Sequence, residues 1–430
     1  MDSLTQIVLG AAVGEAMLGR KLDNRAMLWG GIAGTLPDLD VLANMATDPI
    51  SALVYHRSFT HSIAFAALAA PIMGWATYLL YKRSSSEPEG ESPRTLPGPR
   101  VEKRLRPSSL ASDAGRFSLL VIAFYLLLWL GSELVPLDIF RLPQVAAYIT
   151  AALVGLYFIV YMRERWRKKP SRAESVSPAA WTGLFFAAIV THPLLDCCTM
   201  YGTQLLQPFD NIRVAWNTVS VADVFYTLPF SMFLLLAARR AKATKGRTRL
   251  NRLGLIISSA YLLLTAAHYF WVDHILHHSL EDQGIAHQRT IHGPTLLTNF
   301  LWQATAETED QNYWISDYSF FDARRKFQPF KQVEGRQELL ADIEDTRTVR
   351  LLRYFTNDYL GVIPLPDGRL QLNDLRYGYW GDDPNDPRSY LFHWVVDPNK
   401  FPLEVTQETG PPEGGAGEVF EALWERTKGI

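Results

Sequence analysis

The chain has 430 residues, room for two or three domains, with 48% hydrophobic and 20% charged residues and a mean hydropathy of −0.02. Lys+Arg 42 against Asp+Glu 44 gives a net charge of −2, so no global basic field points to nucleic acid. The only cysteines, Cys197 and Cys198, are neighbours, which rules out a disulfide framework. The average hydropathy conceals two unlike parts: up to Asp273 long apolar runs alternate with short basic loops, and from His274 onward charges and aromatics mix.

Two short apolar segments come first, Leu4–Leu18 and Met27–Leu36, joined by Arg20, Lys21 and Arg25. They suit a tilted, tightly packed helical hairpin or a re-entrant pair, with Gly10, Gly14, Gly30, Gly31 and Gly34 allowing close backbone approach. Asp2 at the start and the lack of a basic opening argue against a cleaved signal peptide. Glu15, inside the first segment, is expected to pair with Arg20 or Lys21.

A bilayer core of about 30 Å takes roughly 20 apolar residues as helix. Ser62–Tyr81, Leu142–Met162, Ser175–Leu195 and Leu253–Val272 supply 20, 21, 21 and 20 uncharged residues. Phe117–Gly131 and Val224–Ala238 supply 15 each and extend past one acidic residue, which predicts six spans in all. Lys82–Arg116, Arg163–Arg172 and Arg239–Arg252 carry eight, six and seven Lys/Arg, whereas Ser132–Pro143 and Asp196–Thr218 carry one each. Basic loops stay cytoplasmic, so the alternation puts His61, the segment His192–Asp223 and the tail on the outer face. Residues 84–112, rich in Ser, Pro, Glu and Arg, read as a disordered cytoplasmic linker within a membrane domain of residues 1–273.

The tail, residues 274–430, has no spanning run. Asn312–Phe321 and Tyr390–Val396 alternate aromatic and polar residues as strands do, while Glu334–Tyr354 and Gly417–Lys428 look helical. The expectation is a mainly α polytopic membrane bundle carrying an extracytoplasmic α+β domain. His268 is expected to be hydrogen-bonded within the bundle, and His274, His277 and His278 to be exposed without a metal.

Ionisable residues at the ends of apolar helices are costly and ask for a reason. Asp38 and Asp40 end the second apolar segment, His56, Arg57 and His61 precede the first full span, His192 and Asp196 close the fourth, and Asp223 opens the fifth. His192 and Asp196, four apart, share one helix face, a spacing that suits Zn²⁺. His56 and His61, five apart, both contribute only if one lies in the loop before the helix. Three carboxylates with three imidazoles fit one ion generously or two ions sharing a carboxylate. Taken singly these residues have structural readings: a hydrogen-bonded His–Asp pair, or helix caps at Asp38, Asp40 and Asp223. Their common depth favours a metal centre of Asp38, Asp40, His56, His61, His192 and Asp196, with one or two Zn²⁺ ions. Asp40 or Asp223 is then a candidate general base, and Arg57 either binds an oxyanion or phosphate or snorkels at the interface. Cys197 and Cys198 read as small apolar filling.

The blocks Met1–Gln6, Leu36–Asp40, His56-Arg57-Ser58-Phe59-Thr60-His61-Ser62, Thr191–Asp196 and Ala222-Asp223 together resemble the YdjM-like family over about residues 1–235. That resemblance implies a bacterial inner-membrane metal-dependent hydrolase, similar in turn to the zinc-dependent phospholipase C and single-strand nuclease group. His192 and Asp196 match that group's His-x-x-x-Asp pair, with Asp38 or Asp40 and His56 or His61 supplying the rest. Many members have histidine where this chain has Gln6, so either one ion is lost or weakened, or Gln6 binds through its carbonyl or a water. The implied reaction is phosphoester hydrolysis on a lipid or lipid-linked substrate at the outer interface. A transporter, or a scaffold with a structural metal, is the alternative; internal two-fold similarity of the transporter kind is not evident.

Overall fold

The structure is a computed structural model and describes residues 1–45, 47–82, 175–381, 383–408 and 416–429. The expected spans Phe117–Gly131 and Leu142–Met162, and the linker at 84–112, lie outside the described residues.

Helix α1 (Ser3–Leu22) starts where the Asp2 carboxylate accepts from the Thr5 amide at 3.0 Å. It pairs along its length with α2 (Asn24–Thr35) through glycines, as anticipated. A Cβ on Gly30 would lie 2.2 Å from the Gly10 carbonyl oxygen, and one on Gly14 2.1 Å from that of Ala26. Only glycine allows this approach, and it brings the C-terminal end of α2 close to the bundle axis. A 3₁₀ segment (Pro37–Met45) and the short helix α3 (Pro49–Tyr55) then lead into α4 (Ile63–Lys82).

Helix α5 (Pro178–Asp196), capped by Ser177, packs Trp181, Leu184 and Phe185 against Trp29 of α2 and Phe65 and Ala69 of α4. Helix α6 (Val224–Arg239) and helix α7 (Lys245–Asp282) follow. Among the described residues α4, α5 and α7 are long and apolar enough to cross a membrane, and α6 is a shorter apolar helix. Three of the six expected spans thus coincide with helices of spanning length, and a fourth, Val224–Ala238, with a shorter helix that Asp223 caps and does not extend.

Helix α7 has 38 residues, about 57 Å at 1.5 Å per residue, and runs straight through the expected domain boundary at residue 273. His274, His277 and His278 therefore sit on this helix, not in a tail beyond it. Its last turns bury Val272, Ile275, Leu276 and Leu280 under an antiparallel sheet of β1 (Arg289–Pro294), β2 (Leu301–Glu307), β3 (Tyr313–Ser319) and β4 (Lys331–Val333). A second antiparallel meander holds β5 (Leu360–Pro364), β6 (Leu370–Asp374), β7 (His393–Val396) and β8 (Val405–Glu408). Helix α8 (Arg347–Thr356) covers it with Val349, Leu352 and Phe355, and α9 (Ala416–Thr427) closes the chain. The expected helix over Glu334–Tyr354 is thus mostly turn and 3₁₀ before α8, which begins only after the Thr346 cap.

Two expected pairings differ. Glu15 pairs with Arg247 of α7, at 2.6 Å from Oε1 to Nε, and not with Arg20 or Lys21. His268 hydrogen-bonds Asn299 at 2.7 Å, reaching the sheet domain and not the bundle. Cys197 and Cys198 are free and buried.

Candidate metal centre

Asp38, His61, His192 and Asp196 come together, each offering a ligand atom within 4.8 Å of the others. Among the described residues no second group of three or more such donors forms. Three devices deliver them. Asp38 rides the 3₁₀ segment after α2, His61 ends a 3₁₀ turn (Phe59–His61), and His192 and Asp196 lie one turn apart at the end of α5.

The distances suit a tetrahedral ion. Ligands about 2.0–2.1 Å from a tetrahedral centre are separated by about 3.3 Å. His192 Nε2 lies 3.1 Å from His61 Nε2, 3.3 Å from Asp38 Oδ1 and 3.1 Å from Asp196 Oδ2. His61 Nε2 lies 3.5 Å from Asp38 Oδ1 and 3.4 Å from Asp196 Oδ2.

The far nitrogens decide what these atoms carry. His192 Nδ1 lies 2.5 Å from the Gly34 carbonyl oxygen, which only accepts, so Nδ1 holds the proton and Nε2 presents a lone pair. His61 Nδ1 is 3.2 Å from Asp40 Oδ2, so it donates there and also presents Nε2 inward. With both imidazoles neutral, two lone pairs and two carboxylate oxygens converge with no donor among them, and Asp196 Oδ2 is buried without a hydrogen bond. Such a set needs a cation at its centre, a proton on one ring or a metal ion in its place. Burial lowers the pKa of His61, but Asp40, Asp196 and Asp38 outweigh it and raise it to about 10. Burial likewise pushes the Asp38 carboxyl up, and the His192 and His61 imidazoles more than reverse this, holding it below the usual carboxylate range. The ion-free centre thus keeps a proton where a metal would sit.

Asp40 stands behind this group. Its fully buried carboxylate takes the His56 ring at 2.9 Å, the Arg57 amide at 2.9 Å and the Thr60 hydroxyl at 3.2 Å, besides His61. It orients a ligand and is not among the four converging donors. His56 is also outside the group: its ring, 32% exposed, leans edge-on to Tyr201 with its centroid 5.9 Å from that of His61. Arg57, with φ 62, turns the chain so that His56 faces out and His61 in. Its guanidinium is buried, 3.4 Å from Asp196 Oδ1 and 2.7 Å from Thr199 Oγ1, so it neither snorkels nor points at open space.

Asp223 is a cap. Its Oδ1 accepts from the Phe225 and Tyr226 amides at 2.9 and 3.1 Å and its Oδ2 from the Tyr261 hydroxyl at 2.8 Å. Gln6 is neither ligand nor bystander, since its Nε2 donates to Asp196 Oδ1 at 3.0 Å. The Met1 amino nitrogen meets the same oxygen. Sequence reasoning missed the Gly34 carbonyl and the Gln6 and Asp40 supports; only the run of small residues in α2 signalled a backbone that others approach.

A family model described as YdjM inner membrane protein matches residues 1–136 and 145–272, and the chain belongs to that family. Searches of curated proteins and of solved structures gave no match. The matched span carries all four donors and stops within α7, so the sheet domain lies outside it.

Proposed function

We propose that this member of the YdjM inner membrane protein family is a membrane-embedded metal-dependent hydrolase acting on a phosphoester or lipid-type substrate at the outer membrane interface. The observation that carries this reading is the meeting of two imidazole Nε2 atoms and two carboxylate oxygens within 4.8 Å of one another, each ring engaged from behind through its Nδ1. A divalent ion such as Zn²⁺ bound by Asp38, His61, His192 and Asp196 supplies Lewis acidity and lowers the pKa of a coordinated water to about 7.

The chain's own residues do the rest. Asp38, whose side chain is 17% exposed, is the open member of an otherwise buried set, so substrate approaches from its side. Ser3 donates to Asp38 Oδ2 at 3.2 Å, and Leu4, Ile7 and Val41, close to these two residues in the chain, are exposed apolar side chains suited to a lipid and costly in water. His56, partly exposed beside His61, has Nδ1 fixed by Asp40, which leaves Nε2 to take or return a proton. Arg57 and Gln6 fix Asp196, and Arg57 balances its charge. The positive-inside pattern of the basic loops supports an extracytoplasmic site and sheet domain.

The test uses the full chain purified in detergent or nanodiscs, with metal counted by mass spectrometry and turnover followed on a phospholipid and phosphodiester panel. We expect one equivalent of ion and chelator-sensitive hydrolysis restored by Zn²⁺. His192→Ala loses both ion and activity, and His56→Gln keeps the ion but slows turnover by about 10²–10⁴. A stoichiometric ion in His192→Ala would refute the ligand set. An ion required for folding with no turnover on any substrate would make the site structural.

A further inference from the structure

The turn after β3 combines three exposed cations with exposed aromatics beside the membrane helices. It reads Phe320-Phe321-Asp322-Ala323-Arg324-Arg325-Lys326. Phe321 is 58% exposed. Its ring lies 5.6 Å from that of Phe300, which in turn meets Phe225 in the first turn of α6 at 5.5 Å. The Phe320 ring lies 4.6 Å from that of His268 of α7, tilted by 38°, and the Arg325 guanidinium lies 5.7 Å over Trp271 one turn further on. Phe225 and Trp271 are themselves 46% and 45% exposed, at levels where aromatic side chains of spanning helices meet headgroups.

Charge follows the same plan. Arg324, Arg325 and Lys326 are exposed and pair with no carboxylate among the described residues. The one acid in the turn, Asp322, is taken by Arg426 of α9 at 2.6 and 2.8 Å. A row of uncompensated cations next to an apolar tip matches a layer with phosphates above acyl chains. Phe225 ties the tip to a helix of the matched membrane family region, so the surface is continuous with the bilayer-facing wall.

We propose that Phe320–Lys326 is a lipid-contacting turn that seats Phe321 in the acyl boundary and places Arg324, Arg325 and Lys326 on the phosphates of anionic phospholipids. It anchors the sheet domain to the bilayer, rests on the membrane reading alone and does not depend on the metal centre.

The test uses the full chain with Phe321→Cys carrying an environment-sensitive fluorophore; Cys197 and Cys198 are buried, which keeps labelling selective. The protein is placed in nanodiscs of phosphatidylcholine with or without phosphatidylglycerol. We expect a spin-labelled lipid to quench the probe at least about twofold and aqueous iodide to quench it weakly, with the lipid effect stronger in phosphatidylglycerol. In a background of Arg324→Gln, Arg325→Gln and Lys326→Gln the difference between the two lipids disappears. Quenching by iodide and not by lipid would overturn the proposal. So would a probe shielded from both, which would mean the turn is covered by protein, or a lipid preference that survives the triple substitution.

Discussion

Each imidazole in the four-donor group is held from behind. Gly34 fixes His192 and Asp40 fixes His61, so the second nitrogen of each ring sets which way the first one points. This separates two effects of substitution. Asp40→Asn leaves every ligand in place but removes the charge and the unambiguous acceptor behind His61. We expect ion affinity to fall about 10- to 100-fold with the stoichiometry unchanged. The same titration tests the proton. With the His61 pKa raised to about 10 by Asp40, Asp196 and Asp38 against burial, the ion-free site is protonated at pH 7. Ion uptake must expel that proton, so binding strengthens as pH rises toward 10 and weakens as it falls. Calorimetry in two buffers of different ionisation enthalpy should give about one proton released per ion; none released would mean the site is not protonated. The His192–Asp196 half of the site was legible from spacing alone, because i and i+4 share a helix face whatever surrounds them. The His56–His61 half was not. The left-handed backbone at Arg57 decides which ring turns inward, and no periodicity encodes a single φ of 62.

The helix pair α1–α2 contributes no ligand, only the Gly34 carbonyl behind His192 and the Gln6 amide on Asp196, yet it sets the site's shape. The backbones touch at Gly10 and Gly30, where an added Cβ would sit 2.2–2.3 Å from a carbonyl oxygen and cannot be relieved by turning a side chain. Gly30→Val should therefore push α2 away from α1, a change costing about 1–3 kcal/mol by overpacking. It should also withdraw the Gly34 carbonyl from His192. The expected outcome is inserted protein with a lowered thermal midpoint and substantially reduced ion content, although no ligand has been altered. Ion content equal to the parent would show that α2 is only a spacer. The glycine spacing made this contact readable in advance. The ion pair that ties α1 to α7 was unreadable, because Glu15 and Arg247 are 232 residues apart and Arg20 and Lys21 offered nearer partners. Both members are buried, and a carboxylate among apolar helices takes whichever cation packing delivers.

The sheet domain is more than cargo on the last helix. Two of its strands, β3 and β7, were visible in the sequence as alternating runs, but α7's passage through the boundary was not, since His and Asp past Val272 lower hydropathy without interrupting the helix. Nor was its grip on the metal loops. Helix α3, directly before His56, buries Ile50 and Leu53 in one core with Leu352, Phe355 and Trp394. Arg213 donates to the carbonyls of Val54 at 3.2 Å and His56 at 3.0 Å. Gln204 bonds the Arg57 carbonyl at 2.9 Å and the Tyr354 hydroxyl of α8 at 2.9 Å. Order in residues 49–61 is therefore shared with the second sheet, and an ion that fixes His61 should slow the opening of strands that never touch it. At an ion concentration 100 times Kd the stabilisation is bounded by about 2.7 kcal/mol, or roughly 100-fold in protection. Hydrogen exchange of Leu370–Asp374 and His393–Val396, with and without ion, measures how much of that bound is transmitted. Leu53→Ala, which opens a hole in the shared core while leaving all four ligands, should erase the response in β6 and β7 but still allow the ion to bind. If exchange in these strands ignores the ion in the parent protein, the two halves are mechanically independent and α3 is only a tether.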